Sequence, residues 1–248
     1  MDGVLYTGSK PIKGAERAVE FLRKSGKKVI FLTNNSESTR ASYMKKLARM
    51  GIIAREDEVI TSGQVTADYI RKENPDARVF AIGGKGLIQE LKLAGLKLVR
   101  PDRATHVVVG IDQSLTYEKL RGGLKALLSG AEFIATNPDN LYPTEKGLSP
   151  GAGAIVAALE RSSMRKAKVI GKPSSYMIRF VLKILGIKPN EAAIIGDQIN
   201  TDIKAGRKTG LMTILVLSGV SKSEDVVKVR GTKNAPDFVI GSLEEVIS

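Results

Sequence analysis

The sequence contains no cysteine and a single histidine, His106. The missing thiols exclude disulfide bonds, thiol catalysis and any zinc site built on cysteine. No apolar run approaches the ~18 residues that a membrane-spanning helix needs. Nothing resembles a signal peptide, since Met1 is followed at once by Asp2 and Gly3. We therefore expect a cytoplasmic protein without a membrane segment.

Acidic residues are comparatively scarce, because 26 Asp and Glu stand against 39 Lys and Arg and leave a net charge of +13. Such an excess is compatible with nucleic-acid binding, in which Lys and Arg neutralise phosphates. The basic residues are spread along the chain, however, and no aromatic residues alternate with them to form a base-stacking platform. Solvated, Lys-rich helix faces are the simpler explanation. We expect no nucleic-acid partner, although a basic surface would concentrate a small anionic substrate.

Strand-like apolar runs alternate with helical patterns along the chain, which is typical of an α/β fold with a parallel sheet. Pro75 breaks the first series of elements. A segment rich in turn residues, 137–150, is expected to be a loop and precedes the last series. These two features predict domain boundaries near residues 75 and 167.

Polar residues follow several predicted strands, at the edge of a parallel sheet where ligands bind. The segments concerned are Thr33 to Ser36, Gly171 to Pro173, and Gly196-Asp197 with Asp202 five residues further on, while Asp2 and Gly3 precede the first helix. Together they offer hydroxyl and amide donors, one ammonium and three carboxylates. A phosphoryl group needs such a set, because carboxylates hold Mg²⁺, lysine offsets the charge of the transferred oxygens, and hydroxyl and backbone N–H groups cradle them.

Each of these motifs also has an ordinary structural explanation. A Thr-Asn-Asn sequence after a strand commonly forms a turn or a helix cap. Gly171-Lys172-Pro173 is typical of a turn followed by a solvated lysine, and Gly196-Asp197 could be only a helix N-cap. The order of the motifs and their positions after strands favour the functional interpretation.

In this order the motifs resemble those of the haloacid dehalogenase phosphatases, and most closely the nitrophenylphosphatase and phosphoglycolate phosphatase branch. The matching segments are Asp2–Leu5, Leu32–Ser36, Gly171–Pro173 and Gly196–Ile203, with further similarity at Pro11–Gly14, Ile82–Gly84, Ala135–Asp139 and Pro150–Gly153. The resemblance covers nearly the whole chain and implies an α/β fold, with a Rossmann-like parallel-sheet core and an inserted α/β cap. It places the catalytic core at residues 1–74 and 167–248 and the substrate-specificity cap at residues 75–166.

The resemblance implies Mg²⁺-dependent hydrolysis of small phosphate monoesters, of aryl, sugar, glycolate or nucleotide type, through an aspartyl-phosphate. Asp2 would be the general acid/base and would give the metal its backbone carbonyl. Asp197 would bind the metal directly, with Asp202 in support. Lys172 would stabilise the phosphoryl group.

Further roles follow from the same resemblance. Thr33 and the amides of Asn34 and Asn35 would bind phosphate, and this phosphate would lie between Thr33 and Lys172. In the cap, a loop with Asn137, Asp139 and Tyr142 would face the active site and contact the leaving group. The expected partner is a small phosphorylated metabolite, and homodimerisation is left open.

The sequence departs from the family at the first motif, which reads Asp-x-Asp-Gly after a short hydrophobic strand. Met1 occupies the x position, so the nucleophilic aspartate and its strand are missing from the sequence. We expect a chain starting at Met1 to be inactive and to fold poorly. A start assigned downstream of the true one and a degenerate relative both explain the departure. Because Asp2, Lys172, Asp197 and Asp202 all remain, the first explanation is favoured.

Two other functions fit the same motifs. A phosphomutase would transfer the phosphoryl group to an acceptor other than water, and a phosphometabolite-binding protein would bind esters without turnover. Release of free phosphate separates the hydrolase from both. His106 begins a predicted cap strand, and we expect it to be structural.

Overall fold

The computed structural model describes residues 1–144 and 147–247. The helices are α1 (Ala15–Lys24), α2 (Arg40–Ala48), α3 (Ser62–Glu73), α4 (Lys85–Leu93), α5 (Tyr117–Leu128), α6 (Ala152–Ser163), α7 (Tyr176–Leu185), α8 (Lys204–Thr209) and α9 (Ser223–Val229). The strands are β1 (Tyr6–Thr7), β2 (Lys10–Pro11), β3 (Phe31–Thr33), β4 (Val59–Thr61), β5 (Arg78–Ile82), β6 (Lys97–Leu98), β7 (His106–Val109), β8 (Glu132–Ala135), β9 (Leu141–Thr144), β10 (Gly147–Pro150), β11 (Lys168–Val169), β12 (Ala193–Gly196), β13 (Met212–Val216) and β14 (Phe238–Ile240). None of the helices in the described part of the chain has the length and apolar character that a bilayer crossing requires.

Side chains and glycines set the ends of several helices. The hydroxyl of Thr61 accepts a hydrogen bond from the backbone of Gln64 and so begins α3. Thr116 does the same for α5 through the backbone of Lys119, at 3.2 Å. Each hydroxyl satisfies one of the N–H groups that a helix leaves unpaired in its first turn. α7 ends where Gly186 adopts a left-handed conformation with φ 65°, which glycine reaches without a steric cost.

The chain divides into two compact units. The first contains residues Met1–Leu32, Met44–Val59 and Lys172–Ser248. Its parallel sheet has the strand order β12-β13-β14, and buried side chains of α7, α8 and β12 form an apolar core around Ile178, Leu182 and Ile194. β12 ends at Gly196, so Asp197 lies at the carboxyl edge of this sheet.

The second unit contains residues Thr33–Tyr43 and Ile60–Gly171. Five of its strands form a parallel sheet in the order β11-β8-β7-β5-β6. The register aligns Val107 of β7 with Phe80 of β5 and with Phe133 of β8. Val107 and Phe133 pack with Leu159 of α6 in the apolar core of this unit. The predicted α/β class with parallel sheets is therefore confirmed.

The segment predicted as a loop at 137–150 instead contains a hairpin, in which β9 and β10 pair antiparallel. The prediction was wrong because four-residue strands among prolines and glycines give no period-2 pattern strong enough to outweigh the turn residues. A predicted helix at 201–209 begins instead as a π-helical turn over Ile199–Ile203, and α8 follows from Lys204. Both corrections concern segments beside candidate site residues.

The bounds of the two units differ from the predicted core and cap. Residues 33–43 and 60–74, expected in the core, are grouped with the second unit, and the last change of unit comes between residues 171 and 172 instead of near 167. The assignment of core and cap functions stays a prediction.

Candidate active site

Lys172 and Asp202 form a buried ion pair in the first unit. The Lys172 Nζ atom lies 2.5 Å from Oδ1 of Asp202, and the two residues are 7% and 5% exposed. The second oxygen of Asp202 accepts a hydrogen bond from the backbone of Gln198 at 3.2 Å. Because burial removes both groups from water, each charge is stabilised mainly by the other. Lys172 is therefore held beside the carboxyl edge of β12.

The π-helical turn after β12 places Asp202. The backbone N–H of Asp202 donates to the carbonyl of Gln198 at 2.9 Å, which folds the chain back toward the end of the strand. A Cβ atom on Gly196 would overlap the Asp202 side chain. The glycine in the Gly-Asp motif is thus required by the close approach of this carboxylate, independently of any turn.

Asp197 is buried beside this pair, with 4% of its surface exposed. Its Oδ2 accepts a hydrogen bond from the backbone of Val220 at 2.9 Å, and its carbonyl accepts one from Ser221 at 3.0 Å. Gly3 and Gly219 pack against the carboxylate, and a Cβ atom on either would overlap it. Two separate loops therefore close around Asp197 and leave space only for glycine.

The electrostatics of the cluster favour an added positive charge. Burial raises the pKa of Asp197, and the negative charge of Asp202 raises it further, while the backbone of Val220, the α-ammonium of Met1 and the charge of Lys172 lower it. The cluster thus holds two buried carboxylates, the Lys172 ammonium and the α-ammonium of Met1, and the pKa of Asp197 is still raised. A cation would stabilise the ionised form of Asp197.

Asp2 lies next to Gly3, whose carbonyl accepts a hydrogen bond from the Ser218 hydroxyl at 2.8 Å. Burial raises the pKa of the Asp2 carboxyl, although the charge of Lys46 and the backbone of Gly8 oppose this. A carboxyl group with a raised pKa is suited to donate a proton to a leaving oxygen. The raised pKa suits the acid/base role expected for Asp2, which stays a prediction.

Within residues 1–144 and 147–247, no three His, Cys, Asp or Glu side chains gather as metal ligands. A site for Mg²⁺ does not require such a group, because this ion keeps several waters and takes one or two carboxylates, with the remaining oxygens coming from phosphate or backbone. Among the described residues, Oδ1 of Asp197 accepts no protein hydrogen bond. The buried Asp197 carboxylate is a donor of the kind that Mg²⁺ takes, and its role as a metal ligand stays a prediction.

A second group of predicted site residues lies in the second unit and centres on Asn34. The Asn34 side-chain amide donates to both oxygens of Asp139, at 3.3 and 3.1 Å. The Asn34 carbonyl accepts from Nδ2 of Asn137 at 2.7 Å and from the hydroxyl of Ser62. Asn137 is fully buried, and its Oδ1 accepts from the backbone of Asp139 at 3.1 Å. The structure thus brings Asn34, Asn137 and Asp139 into one hydrogen-bonded network.

Thr33 and Asn35 form a tight turn after β3. The Asn35 N–H donates to Oγ1 of Thr33 at 3.1 Å, and Oδ1 of Asn35 accepts from the backbone of Glu37 at 2.8 Å. These are the local hydrogen bonds of an Asx- and ST-turn. Thr33 and Lys172 belong to different units, and a shared phosphate site remains a prediction.

Tyr142 has a partner that the sequence did not indicate. Nε2 of Gln113 donates to the Tyr142 hydroxyl at 3.0 Å. Gln113 follows Asp112, which is buried and anchors its loop through Lys119 Nζ at 2.7 Å. Gln113 could have been found by the signal used for the other motifs, because it comes shortly after a buried strand, β7.

Family profiles match both ends of the chain. The profile of haloacid dehalogenase-like hydrolases matches residues 1–97, and a second profile, described as HAD-hydrolase-like, matches residues 169–246. An acid sugar phosphatase of Staphylococcus aureus is 40% identical over 249 residues, which cover 100% of this chain and 95% of that protein.

Solved structures are similar over almost the whole chain. A p-nitrophenyl phosphatase from Archaeoglobus fulgidus is 39% identical with a TM-score of 0.92, covering 99% of this chain and 95% of that one. A glycerol phosphate phosphatase from Mycobacterium tuberculosis, in complex with magnesium, is 30% identical with a TM-score of 0.93, covering 99% of this chain and 74% of that one. The resemblance to the nitrophenylphosphatase branch is confirmed, and the chain belongs to the haloacid dehalogenase-like hydrolases.

Proposed function

We propose that this protein, in a form that carries the first aspartate of the motif before Met1, hydrolyses small phosphate monoesters in a Mg²⁺-dependent reaction. The observation that carries the proposal is the buried cluster of Lys172, Asp197 and Asp202, in which the Lys172 ammonium lies 2.5 Å from Asp202. The relatives named above support it, because they are named as phosphatases of sugar phosphates, p-nitrophenyl phosphate and glycerol phosphate.

In the proposed reaction Asp197 and the backbone carbonyl of Asp2 would hold the metal, which would supply positive charge next to the phosphoryl oxygens. Lys172 adds a second positive charge and is itself oriented by Asp202. The Asp2 carboxyl, whose pKa burial raises, gives its proton to the leaving oxygen. Each role uses a group that is already fixed by hydrogen bonds, so little reorganisation is needed as charge develops.

Phosphate binding is proposed for Thr33, Asn34 and Asn35. The Asn35 N–H donates to Oγ1 of Thr33 at 3.1 Å. When phosphate binds, this N–H would donate to a phosphate oxygen instead. The covalent step would need an aspartate immediately before Met1, whose carboxylate would attack phosphorus while the P–O bond of the ester breaks and the leaving oxygen takes the Asp2 proton. Water would then attack the aspartyl-phosphate, return a proton to the Asp2 carboxylate and release inorganic phosphate.

The leaving group is proposed to be a small alcohol or phenol. Tyr142 is the residue of this loop proposed to contact it, while Asn137 and Asp139 bond to Asn34. The net charge of +13, from 39 basic and 26 acidic residues, would attract any of these anionic esters to the protein. Cytoplasmic residence and a small phosphorylated metabolite as partner belong to the same proposal.

The test is release of inorganic phosphate from p-nitrophenyl phosphate, glycerol phosphate, sugar phosphates and phosphoglycolate, with Mg²⁺ or with excess chelator. It is run on the 248-residue protein and on a version extended by a short hydrophobic segment that ends in Asp. Asp197→Ala in the active version should lower kcat at least about 100-fold, because the metal loses its carboxylate. The matched control is Asp57→Ala, since Asp57 is an exposed carboxylate of the same unit. Undiminished turnover in chelator would contradict the metal, and no phosphate from any ester would contradict the reaction.

A further inference from the structure

The loop that carries Asp139 is fixed from two sides within the second unit. On one side the Asp139 carbonyl accepts a hydrogen bond from the backbone of Gly153 at 2.9 Å, at the start of α6. A Cβ atom on Gly151 would overlap the same carbonyl. On the other side Asn137 donates to the Asn34 carbonyl at 2.7 Å. The Asp139 carboxylate is therefore presented on a rigid support.

That carboxylate is aimed at Asn34. Both of its oxygens lie within 3.3 Å of the Asn34 side-chain nitrogen. Asn34 is 9% exposed, so water does little to compete for its amide group. A hydrogen bond with an ionised acceptor is stronger than one between neutral groups, and a side chain held this way keeps one rotamer. Asn34 is thus fixed at its carbonyl by Asn137 and Ser62, and at its side chain by Asp139.

The environment leaves little room for Asn34 to adjust. A Cβ atom on Gly171 would come within 2.8 Å of Oδ1 of Asn34. The N–H of Gly171 donates to the carbonyl of Thr136 at 2.8 Å, and Ser36 and Thr136 join their hydroxyl groups at 3.0 Å. The turn after β3 is consequently tied to the residues after β8 at several points. Any group that holds the turn also holds its backbone N–H groups.

We propose that Asp139 is a positioning residue that acts through Asn34 to fix the phosphate-binding turn, and that it does not select the leaving group. The inference rests on the proposed function of Thr33, Asn34 and Asn35. It differs from the expectation for a residue that faces the substrate, because the charge of Asp139 is directed at a protein amide. Discrimination among esters then falls to other groups, of which Tyr142 with its partner Gln113 is one.

The test is a double-mutant cycle with Asn34→Ala, Asp139→Ala and the double variant, in the version of the protein that hydrolyses p-nitrophenyl phosphate. The readouts are KM, the inhibition constant of inorganic phosphate, and the ranking of substrates. Asp139→Ala should raise KM and the inhibition constant together by about tenfold, the size of one lost charge-assisted hydrogen bond. The double variant should be no more than about twofold weaker than Asn34→Ala, because residues that act as one unit are not additive. The substrate ranking should not change.

Two further variants keep the result interpretable. Asp139→Asn preserves shape and one accepting oxygen, so it should fall between the wild type and Asp139→Ala, and it replaces Asp139→Ala if that variant unfolds. Asp76→Ala removes an exposed carboxylate of the same unit and should leave every readout unchanged. A substrate ranking that changes while phosphate inhibition stays constant would overturn the proposal. Additive losses in the double variant, or wild-type phosphate inhibition in both Asp139 variants, would do so as well.

Failure of the proposed function is recognised separately. If the wild type releases no phosphate from any ester, binding of inorganic phosphate is measured by calorimetry on the same variants. A loss of about tenfold in Asp139→Ala but not in Asp76→Ala would keep the positioning role without hydrolysis. No phosphate binding by the wild type would overturn the positioning role together with the function.

Discussion

The ammonium of Lys172 and the carboxylate of Asp202 lie 2.5 Å apart although 30 residues separate them in the chain. Each side chain is 8% exposed. The pair joins the segment that precedes α7 to the π-helical turn after β12. It therefore connects two predicted motifs inside the first unit. The pair fixes the position of the Lys172 ammonium, and the Asp202 carboxylate adds negative charge near Asp197.

Removing one member of this pair should cost more stability than removing both. We expect Lys172→Met to lower the free energy of unfolding by about 3 kcal/mol, because it leaves the Asp202 charge buried without its partner. The variant Lys172→Met with Asp202→Asn should recover part of that loss. Urea denaturation of the two variants and of Asp202→Asn measures the coupling. A double variant that loses the sum of the single effects would show that the pair contributes no net interaction.

The pH dependence of stability should report the buried His106. This residue is 2% exposed, and burial lowers the pKa of its imidazole more than Glu132, with Oε2 at 3.7 Å, raises it. The unfolded chain therefore takes up a proton at a higher pH than the folded one. Stability is fully present above the ordinary pKa of 6.5 and should fall as the pH drops below it, toward the lower pKa of the folded state.

The check is urea denaturation at pH 7.5 and pH 5.5 for the wild type and for His106→Gln. The wild type should lose more stability over this interval than the variant does, because glutamine does not titrate. Equal losses in both proteins would assign the acid sensitivity to other groups.

Much of the fold followed from local patterns. Helix α5 at Tyr117–Leu128 and strand β8 at Glu132–Ala135 were predicted with the bounds that the structure has. In both cases the ends are marked locally, by the Thr116 cap and by the turn at Gly130. The hairpins of β1 with β2 and β9 with β10 were not predicted. Strands of two to four residues are stabilised mainly by their partner, and their sequence alone carries no period.

In the candidate site, too, local patterns predicted some features, whereas contacts between distant residues were not predicted. Lys172, Asp197 and Asp202 were predicted from their positions after strands, and the structure places them together. The bond between Asn34 and Asp139 spans 105 residues, and no local pattern encodes such a contact. The sequence could identify both residues as candidates, but only the folded chain shows that one is directed at the other.

The Tyr142 hydroxyl should contribute to substrate ranking. Gln113 holds it at 3.0 Å, so Tyr142→Phe removes both this bond and the hydroxyl while it keeps the ring. We expect the ratio of kcat/KM between a sugar phosphate and p-nitrophenyl phosphate to change by about tenfold in Tyr142→Phe, the size of one to two hydrogen bonds. Gln113→Ala should change this ratio in the same direction. Dependence on Mg²⁺ should stay constant, and an unchanged ratio in both variants would confine the pair to a structural role.

A protein that begins at Met1 has its α-ammonium group close to Lys172, Asp197 and Asp202. Burial lowers the pKa of this group and Lys172 lowers it further, while the carboxylates raise it. We expect an extension that ends in Asp directly before Met1 to raise hydrolysis of p-nitrophenyl phosphate by about 1,000-fold or more, since it supplies a nucleophile. The matched control has Asn in place of this Asp and should gain stability without activity. Equal rates with and without the Asp would exclude covalent catalysis at that position.

Gly3 contacts Asp197 as well as having a strained backbone, and the two effects can be separated. Gly3 and Gly8 both have a left-handed backbone, with φ of 72° and 60°. A Cβ atom on Gly3 would overlap the Asp197 carboxylate, whereas one on Gly8 would meet nothing within 4 Å. Alanine at either position should cost about 1–2 kcal/mol of stability because of the left-handed conformation. Only Gly3→Ala should also displace Asp197, and a displacement of about 1 Å in a reacting group lowers turnover by about 100-fold. Denaturation curves and kcat of the two variants, measured in the active version, test this directly. If Gly8→Ala lost as much activity as Gly3→Ala, the contact with Asp197 would not be the reason for glycine at position 3.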